Sequence, residues 1–311
     1  VSLVDTGSGE IRATLPTGKG PHEVAVSPDG KRALVGNYGV RGAPGSSLTL
    51  IDVVAGTVIK TIELGDYSRP HGIVWRDDRH AVVTAEDQQA LITVDVDEGT
   101  VVQKIDTASE ISHMVAVAPG SSRAFVANIG SGSVSVVDVE SGKRIANIPT
   151  GDGAEGIAVT PDGRQVWVTN RAEDTVTVLD GHSLETVAEL EAGAFPIRAE
   201  VTDDGRWVLV TNAKGNDLSV FSTAKLEEVH RTRFTARSKD DTDRLFRDRF
   251  GSSSVPIGIE VVGADKVAYV AHANADDISI IDLESWQVTG TLAAGREPDG
   301  MGYSPLATDP G

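Results

Sequence analysis

Cysteine is absent from the sequence. Disulfide frameworks, Cys-ligated zinc and iron–sulfur centres and thiol nucleophiles are therefore excluded, and any metal must be held by His, carboxylate or backbone oxygen. No apolar run approaches the ~20 residues needed to cross a bilayer, and no basic stretch followed by an apolar one opens the chain. The reading is of no membrane insertion. Positive charge is scarce: 28 Lys and Arg stand against 46 Asp and Glu, a net charge of −18. Such a chain repels phosphate backbones and anionic lipid surfaces, so no nucleic-acid partner is expected. Aromatic residues make up only 5 %, and no H-E-x-x-H, G-x-S-x-G or Walker sequence occurs. The chain starts at Val1 rather than Met, and a signal peptide is one candidate for a segment removed ahead of it.

What is present is a repeat. "PHEVAVSPDGKRALVGNYG", "EGIAVTPDGRQVWVTNRAEDTVTVLD" and "IRAEVTDDGRWVLVTNAKGNDLSVF" share one plan: an alternating β-branched run, a Pro-Asp-Gly or Asp-Asp-Gly turn, a second strand, a polar turn and a third strand ending near Asp. A Gly-containing turn and a fourth strand complete each unit. Aligning the residue that opens the first strand gives His22, His71, His113, Glu155, Ile197, Ile257 and Asp299, spaced by 49, 42, 42, 42, 60 and 42 residues. A four-stranded repeat of this period predicts a β-propeller. Seven blades are expected in one domain over residues 1–311, with 1–18 and 296–311 together forming the closing blade. The second strand of that blade is missing from the sequence.

The strings "VAVSPDG", "VTNRAEDTVTVLD", "VTNAKGNDLSVF" and "VANIGSGSVSVVDVESG" resemble the YVTN-repeat (YncE-like) propellers of bacterial exported proteins, over nearly the whole chain. The resemblance implies a periplasmic or secreted protein. It implies no particular activity, because the repeat itself is structural.

Two motif matches fail on context. Gly151-Asp152-Gly153-Ala154-Glu155-Gly156 fits G-x-G-x-x-G but lies between two strands, with no helix to receive a pyrophosphate. Asp95-Val96-Asp97-Glu98-Gly99 starts like a calcium loop and lacks its twelfth-position Glu. The recurring third-strand Asp, as at Asp52, Asp138 and Asp282, reads as a turn residue whose carboxylate accepts local backbone N–H groups.

The first-strand openings carry the chemistry. First strands line a propeller's central channel, so these positions form one ring around the axis. Three of the chain's seven His fall at that register in consecutive blades, followed by a carboxylate. Imidazole and carboxylate without sulfur suit Cu(II) or Zn(II), and the general affinity order favours copper over zinc. The expected ligands of a divalent transition metal are His22, His71, His113 and Glu155, with His272 of "VAHAN" as a further candidate. Glu155 is also the candidate general base. His80 and His182 lie off the ring.

Two insertions enter the same face of the disc. The longer, 235–254, carries Arg237, Lys239, Arg244, Arg247 and Arg249 with Leu245, Phe246 and Phe250. It is expected to form a short helix and act as a lid or anion clamp. Two functional classes follow. One is a metal-dependent oxidoreductase or lyase that takes a small-molecule or anionic ligand at the channel mouth. The other is a non-catalytic scaffold recognising a protein, glycan or cell-envelope component. A monomer is expected in both.

Overall fold

The computed structural model describes residues 1–235, 238–239, 244–246, 249–263 and 266–308. Among the described residues the chain is all-β, with one short 3-10 turn at Glu86–Gln88, and no helix is long and apolar enough to cross a membrane. Six four-stranded antiparallel sheets follow one another, each a meander in chain order. The first comprises Pro21–Val26, Arg32–Val40, Ala43–Asp52 and Thr57–Glu63. The inner strands of the other five are Pro70–Trp75, Ser112–Val117, Ala154–Val159, Pro196–Val201 and Pro256–Val262.

The repeat dictates this locally. In the Pro-Asp-Gly turn, Asp29 accepts from Ser27 Oγ at 2.7 Å and from the Lys31 N–H at 3.0 Å. Asp162 and Asp204 repeat the arrangement with Thr160 and Thr202. The third-strand Asp fills the turn role expected of it: Asp52, Asp138 and Asp282 accept the N–H three residues on, from Ala55, Ser141 and Ser285, at 2.8, 2.6 and 2.7 Å. Apolar faces then stack blade against blade. Leu34 and Leu48 of the first blade pack with Ile73 and Ile92 of the second, and similar clusters fill each following interface. Outer edges are blunted by bulges at Ile59, Val102, Ile145, Val187 and Val229, each the extra residue of its fourth strand. A bulged edge resists pairing with another chain.

Among the described residues six four-stranded blades are present where seven are expected. The N-terminus supplies only a two-stranded sheet, Ser2–Val4 with Ile11–Thr14, and the segment 298–306 forms no strand. Among the described residues no further strand pairs with this sheet, and the C-terminal segment joins no ladder. It is nevertheless held between the sixth and first blades. The Gly300 N–H donates to the His22 carbonyl at 3.0 Å, Ser304 Oγ donates to the Gly30 carbonyl at 2.7 Å, and Met301 and Tyr303 pack with Val262 and Leu292.

Candidate functional site at the channel mouth

Three tiers of side chains converge at one end of the channel. The first is the expected ring of strand openings. Where the next residue is Gly, neighbouring inner strands approach closely: a Cβ on Gly72 would stand 2.7 Å from the His113 carbonyl oxygen. At the same register Glu23 and Arg198 instead project charged side chains into the channel.

The second tier follows from strand pairing. Pro21, Pro70, Ser112, Ala154, Pro196 and Pro256 pair with Asn37, Ala85, Asn128, Asn170, Asn212 and His272. The residue after each partner stands beside the ring: Tyr38, Glu86, Ile129, Arg171, Ala213 and Ala273. The third tier lies two residues before each opening, at Gly20, Arg69, Ile111, Gly153, Phe195, Val255 and Glu297, all at left-handed φ between 52 and 76°. Only two are Gly. For β-branched Ile111 and Val255 this conformation costs about 1–3 kcal/mol, which the surrounding blades enforce.

His22, His71 and His113 are brought together as a stack. Ring centroids are 4.4 Å apart from His22 to His71 and 3.5 Å from His71 to His113. His71 is fully buried, and neither of its ring nitrogens has a hydrogen-bond partner. Its neighbours are backed by carboxylates. His113 Nδ1 lies 2.5 Å from Glu86 Oε1 and its Nε2 lies 3.4 Å from Glu155 Oε1, while His22 Nδ1 lies 3.0 Å from Asp299 Oδ2. The Tyr38 hydroxyl donates to the other Glu86 oxygen at 2.6 Å, and Arg171 donates to Glu155 at 2.5 Å. Arg198, itself buried, pairs with Glu23 and lies 3.6 Å from Glu155.

These contacts separate the three imidazoles electrostatically. Burial, then the charges of His113 and His22, push His71 well below its ordinary value and keep it neutral. Burial would lower His22 and His113 too. For His22, Asp299 and Glu23 outweigh it and raise the group to about 9; for His113, Glu155 and Glu86 do so. Glu155 feels burial upward, but His113, Arg171 and Arg198 hold it near 2. Around the stack, the carboxylates Glu23, Glu86, Glu155 and Asp299 face two guanidiniums, Arg171 and Arg198, leaving two formal negative charges. The upward shifts of His22 and His113 favour their positive, protonated forms against that charge.

Among the described residues, two groups have ligand atoms within 4.8 Å of one another: His22, Glu23 and His71, and His71, Glu86 and His113. His71 is common to both. Glu155 belongs to neither group, and His272 lies elsewhere. The His272 nitrogens each meet a hydroxyl at 2.8 Å, Ser254 Oγ and Ser279 Oγ, and burial lowers the ring to about 4. It occupies the place of the strand-end Asn, as Asn212 does toward Ser219. Sequence reasoning missed Glu23, Glu86, Arg171 and Arg198. Their signal was register: each stands directly after a ring opening or a strand-end position.

The opposite arc is apolar and capped. Phe250 and Val255 pack with Ile197, Ile257, Ala213 and Ala273, joined by Phe195 and Phe246. Arg244 grips Asp276 with both terminal nitrogens, at 2.8 and 2.6 Å, and Arg249 lies over the rings of Phe195 and Phe250. The described part of 235–254 forms no helix; Arg237 and Arg247 lie outside the described residues. Over the polar arc a cavity of about 360 Å³ remains, lined by Tyr38, Arg69, Glu86, Asp87, Ile111, His113, Ile129 and Arg171.

The Cytochrome D1 heme domain family matches residues 121–249, less than half of the chain and without the three stacked His. No curated protein matches the sequence. Two similar solved structures are Kuenenia stuttgartiensis hydrazine synthase, at 16 % identity and TM-score 0.76, covering 95 % of this chain and 93 % of that one, and a functionally unknown protein from Desulfotomaculum acetoxidans DSM 771, at 17 % identity and TM-score 0.77, covering 96 % and 93 %. At such identity the likeness establishes the propeller fold alone, and neither comparison names the YVTN-repeat family.

Proposed function

We propose that this is an exported β-propeller whose channel mouth binds one divalent transition ion and that it acts as a metal-dependent oxidoreductase or lyase. The observation that carries the reading is His71: a neutral, fully buried imidazole with both nitrogens unpartnered, held between two further imidazoles. An unsatisfied buried polar group is costly, and such groups persist where a ligand satisfies them. We place the ion at His71, His113 and Glu86, because Glu86 and His113 line the mouth cavity; His22 and Glu23 flank it. Two imidazoles and one carboxylate suit Fe(II) and Zn(II) as well as Cu(II), with copper bound most tightly. Glu155 serves as counter-charge and positions His113, since a carboxyl held near pKa 2 is a weak general base.

The partial match to a haem domain and the fold shared with hydrazine synthase lend support to a redox role. The cluster does not fit a haem, however. An axial imidazole must present a nitrogen to a space that admits a flat macrocycle, whereas His71 is enclosed by its neighbours and His113 faces Glu86 and Glu155.

One observation favours the alternative of a non-catalytic binding propeller: Glu86 already satisfies His113 Nδ1. The test is reconstitution with Cu(II), Zn(II) and Fe(II), followed by elemental analysis. About one retained equivalent of an ion, lost in His71→Ala, supports a metal centre. No retained ion after reconstitution favours the scaffold.

A further inference from the structure

The mouth cavity holds unused hydrogen-bond capacity of one kind. Its acceptors are largely engaged: both Glu86 oxygens are taken by Tyr38 and His113, and Asp87 receives Ser68 and Arg69. Its donors are not. Arg69 directs Nε at Asp87 and lies over the Tyr38 ring at 5.0 Å, while Arg171 directs Nη1 at Glu155 and lies over Phe195 at 5.4 Å. A guanidinium carries five N–H donors; these contacts, with a hydrogen bond from Arg69 to Tyr38, take one or two of them, and both side chains line the cavity. Both side chains are about a quarter exposed, 25 % and 24 %, at an opening that solutes can reach. Ile111 and Ile129 supply the cavity's apolar wall. Arg69 and Ile111 are placed there by left-handed backbone, at φ 53 and 56°, a conformation that ordinary side chains rarely adopt.

We propose that this cavity binds a small organic carboxylate, its oxygens held by Arg69 and Arg171 and its short apolar tail against Ile111 and Ile129. Guanidinium forks match carboxylate geometry and select it over uncharged isosteres. The proposal rests on the metal-centre reading for its functional sense, since it places this ligand above His113, but not for its binding contacts. It names the substrate class of that site.

The test is calorimetric titration of chelator-treated and copper-loaded protein with butyrate and, as the uncharged comparison, butyramide. One butyrate site is expected in both forms, with butyramide at least tenfold weaker. Arg69→Gln and Arg171→Gln should each weaken butyrate about tenfold, the scale of one lost charged hydrogen bond, and Arg69→Lys should restore only part of the loss. Circular dichroism and thermal unfolding of each variant verify the fold. Absence of butyrate binding from both forms, equal binding of butyramide, or parent-like affinity in both Gln variants overturns the proposal. The two readings fail separately. Copper retained without butyrate binding refutes this proposal alone, whereas butyrate bound by a protein that retains no metal supports it and refutes the metal centre.

Discussion

The two arcs of the channel mouth occupy the same registers of the same repeat and have opposite chemistry. From His22 round to Glu155 the openings are imidazole and carboxylate, the second tier adds Tyr38, Glu86 and Arg171, and the mouth stays open. At Ile197 and Ile257 the second tier is Ala213 and Ala273, and phenylalanines close the space above them. The backbone alone does not decide this, since both arcs are built on identical strand pairing and the same left-handed entry residue. Side chains at three registers decide it. The apolar arc obeys ordinary core logic, in which buried area and packing set stability. In the polar arc buried charges balance one another, and one imidazole is left unsatisfied.

The largest effect is expected where the polar arc is deprived of its central cation. Arg198→Met leaves Glu23, Glu155 and Asp299 without a buried guanidinium, and should cost about 3–5 kcal/mol in urea unfolding. Glu23→Gln in the same background should recover part of it. A loss below ~1 kcal/mol would mean that the charges are not interdependent. In the apolar arc, Phe250→Ala removes a ring packed against Ile197 and Ile257 and should cost about 3 kcal/mol, with metal affinity unchanged. Altered metal affinity would show that the arcs are coupled.

His71→Phe sharpens the comparison by giving the polar arc an apolar member. It removes two unpartnered nitrogens, so the metal-free protein should gain about 1–2 kcal/mol while metal retention is lost. Destabilisation by this change would indicate that His71 is a satisfied structural residue.

The smallest effect concerns the other end of the channel, where Glu200 and Glu260 border a second cavity of about 320 Å³. Burial raises both, Glu260 and Asp203 add to it for Glu200, and Asp203 adds to it for Glu260 against the Tyr303 N–H: Glu200 lies well above its ordinary value and Glu260 is raised from 4.5 to about 7. A carboxyl raised by folding binds its proton more tightly in the native state. Its stabilising contribution is therefore full below about pH 4.5 and lost as the pH rises through 7. Thermal unfolding between pH 4.5 and 8 should show that decline, and Glu260→Gln should flatten it. An unchanged slope would place the titration elsewhere.

Much of this was legible in the residues. The 42-residue period, the Asp-bearing turns and the ring register all follow from short-range patterning, which survives in a single sequence. The closing sector was legible only as an inventory of strands, and among the described residues it holds a two-stranded sheet and no four-stranded blade. His272 misled because a strand-end His looks the same whether it faces the channel or replaces Asn against Ser254 and Ser279; its partners are distant or unremarkable in sequence. Glu86 and Arg198 escaped for a related reason. Their importance lies in what other blades bring to them, His113 from the third and Glu23 from the first, and no local pattern records a contact across 175 residues.

The central claim is that His71 is a metal ligand, and the most direct measurement is an anomalous-scattering map of crystals reconstituted with Cu(II) or Zn(II). The expected result is one peak at the channel mouth about 2.0–2.1 Å from a His71 nitrogen, with His113 and Glu86 completing the protein ligands. A map with no peak near His71, its imidazoles bonded only to carboxylates and water, would contradict it.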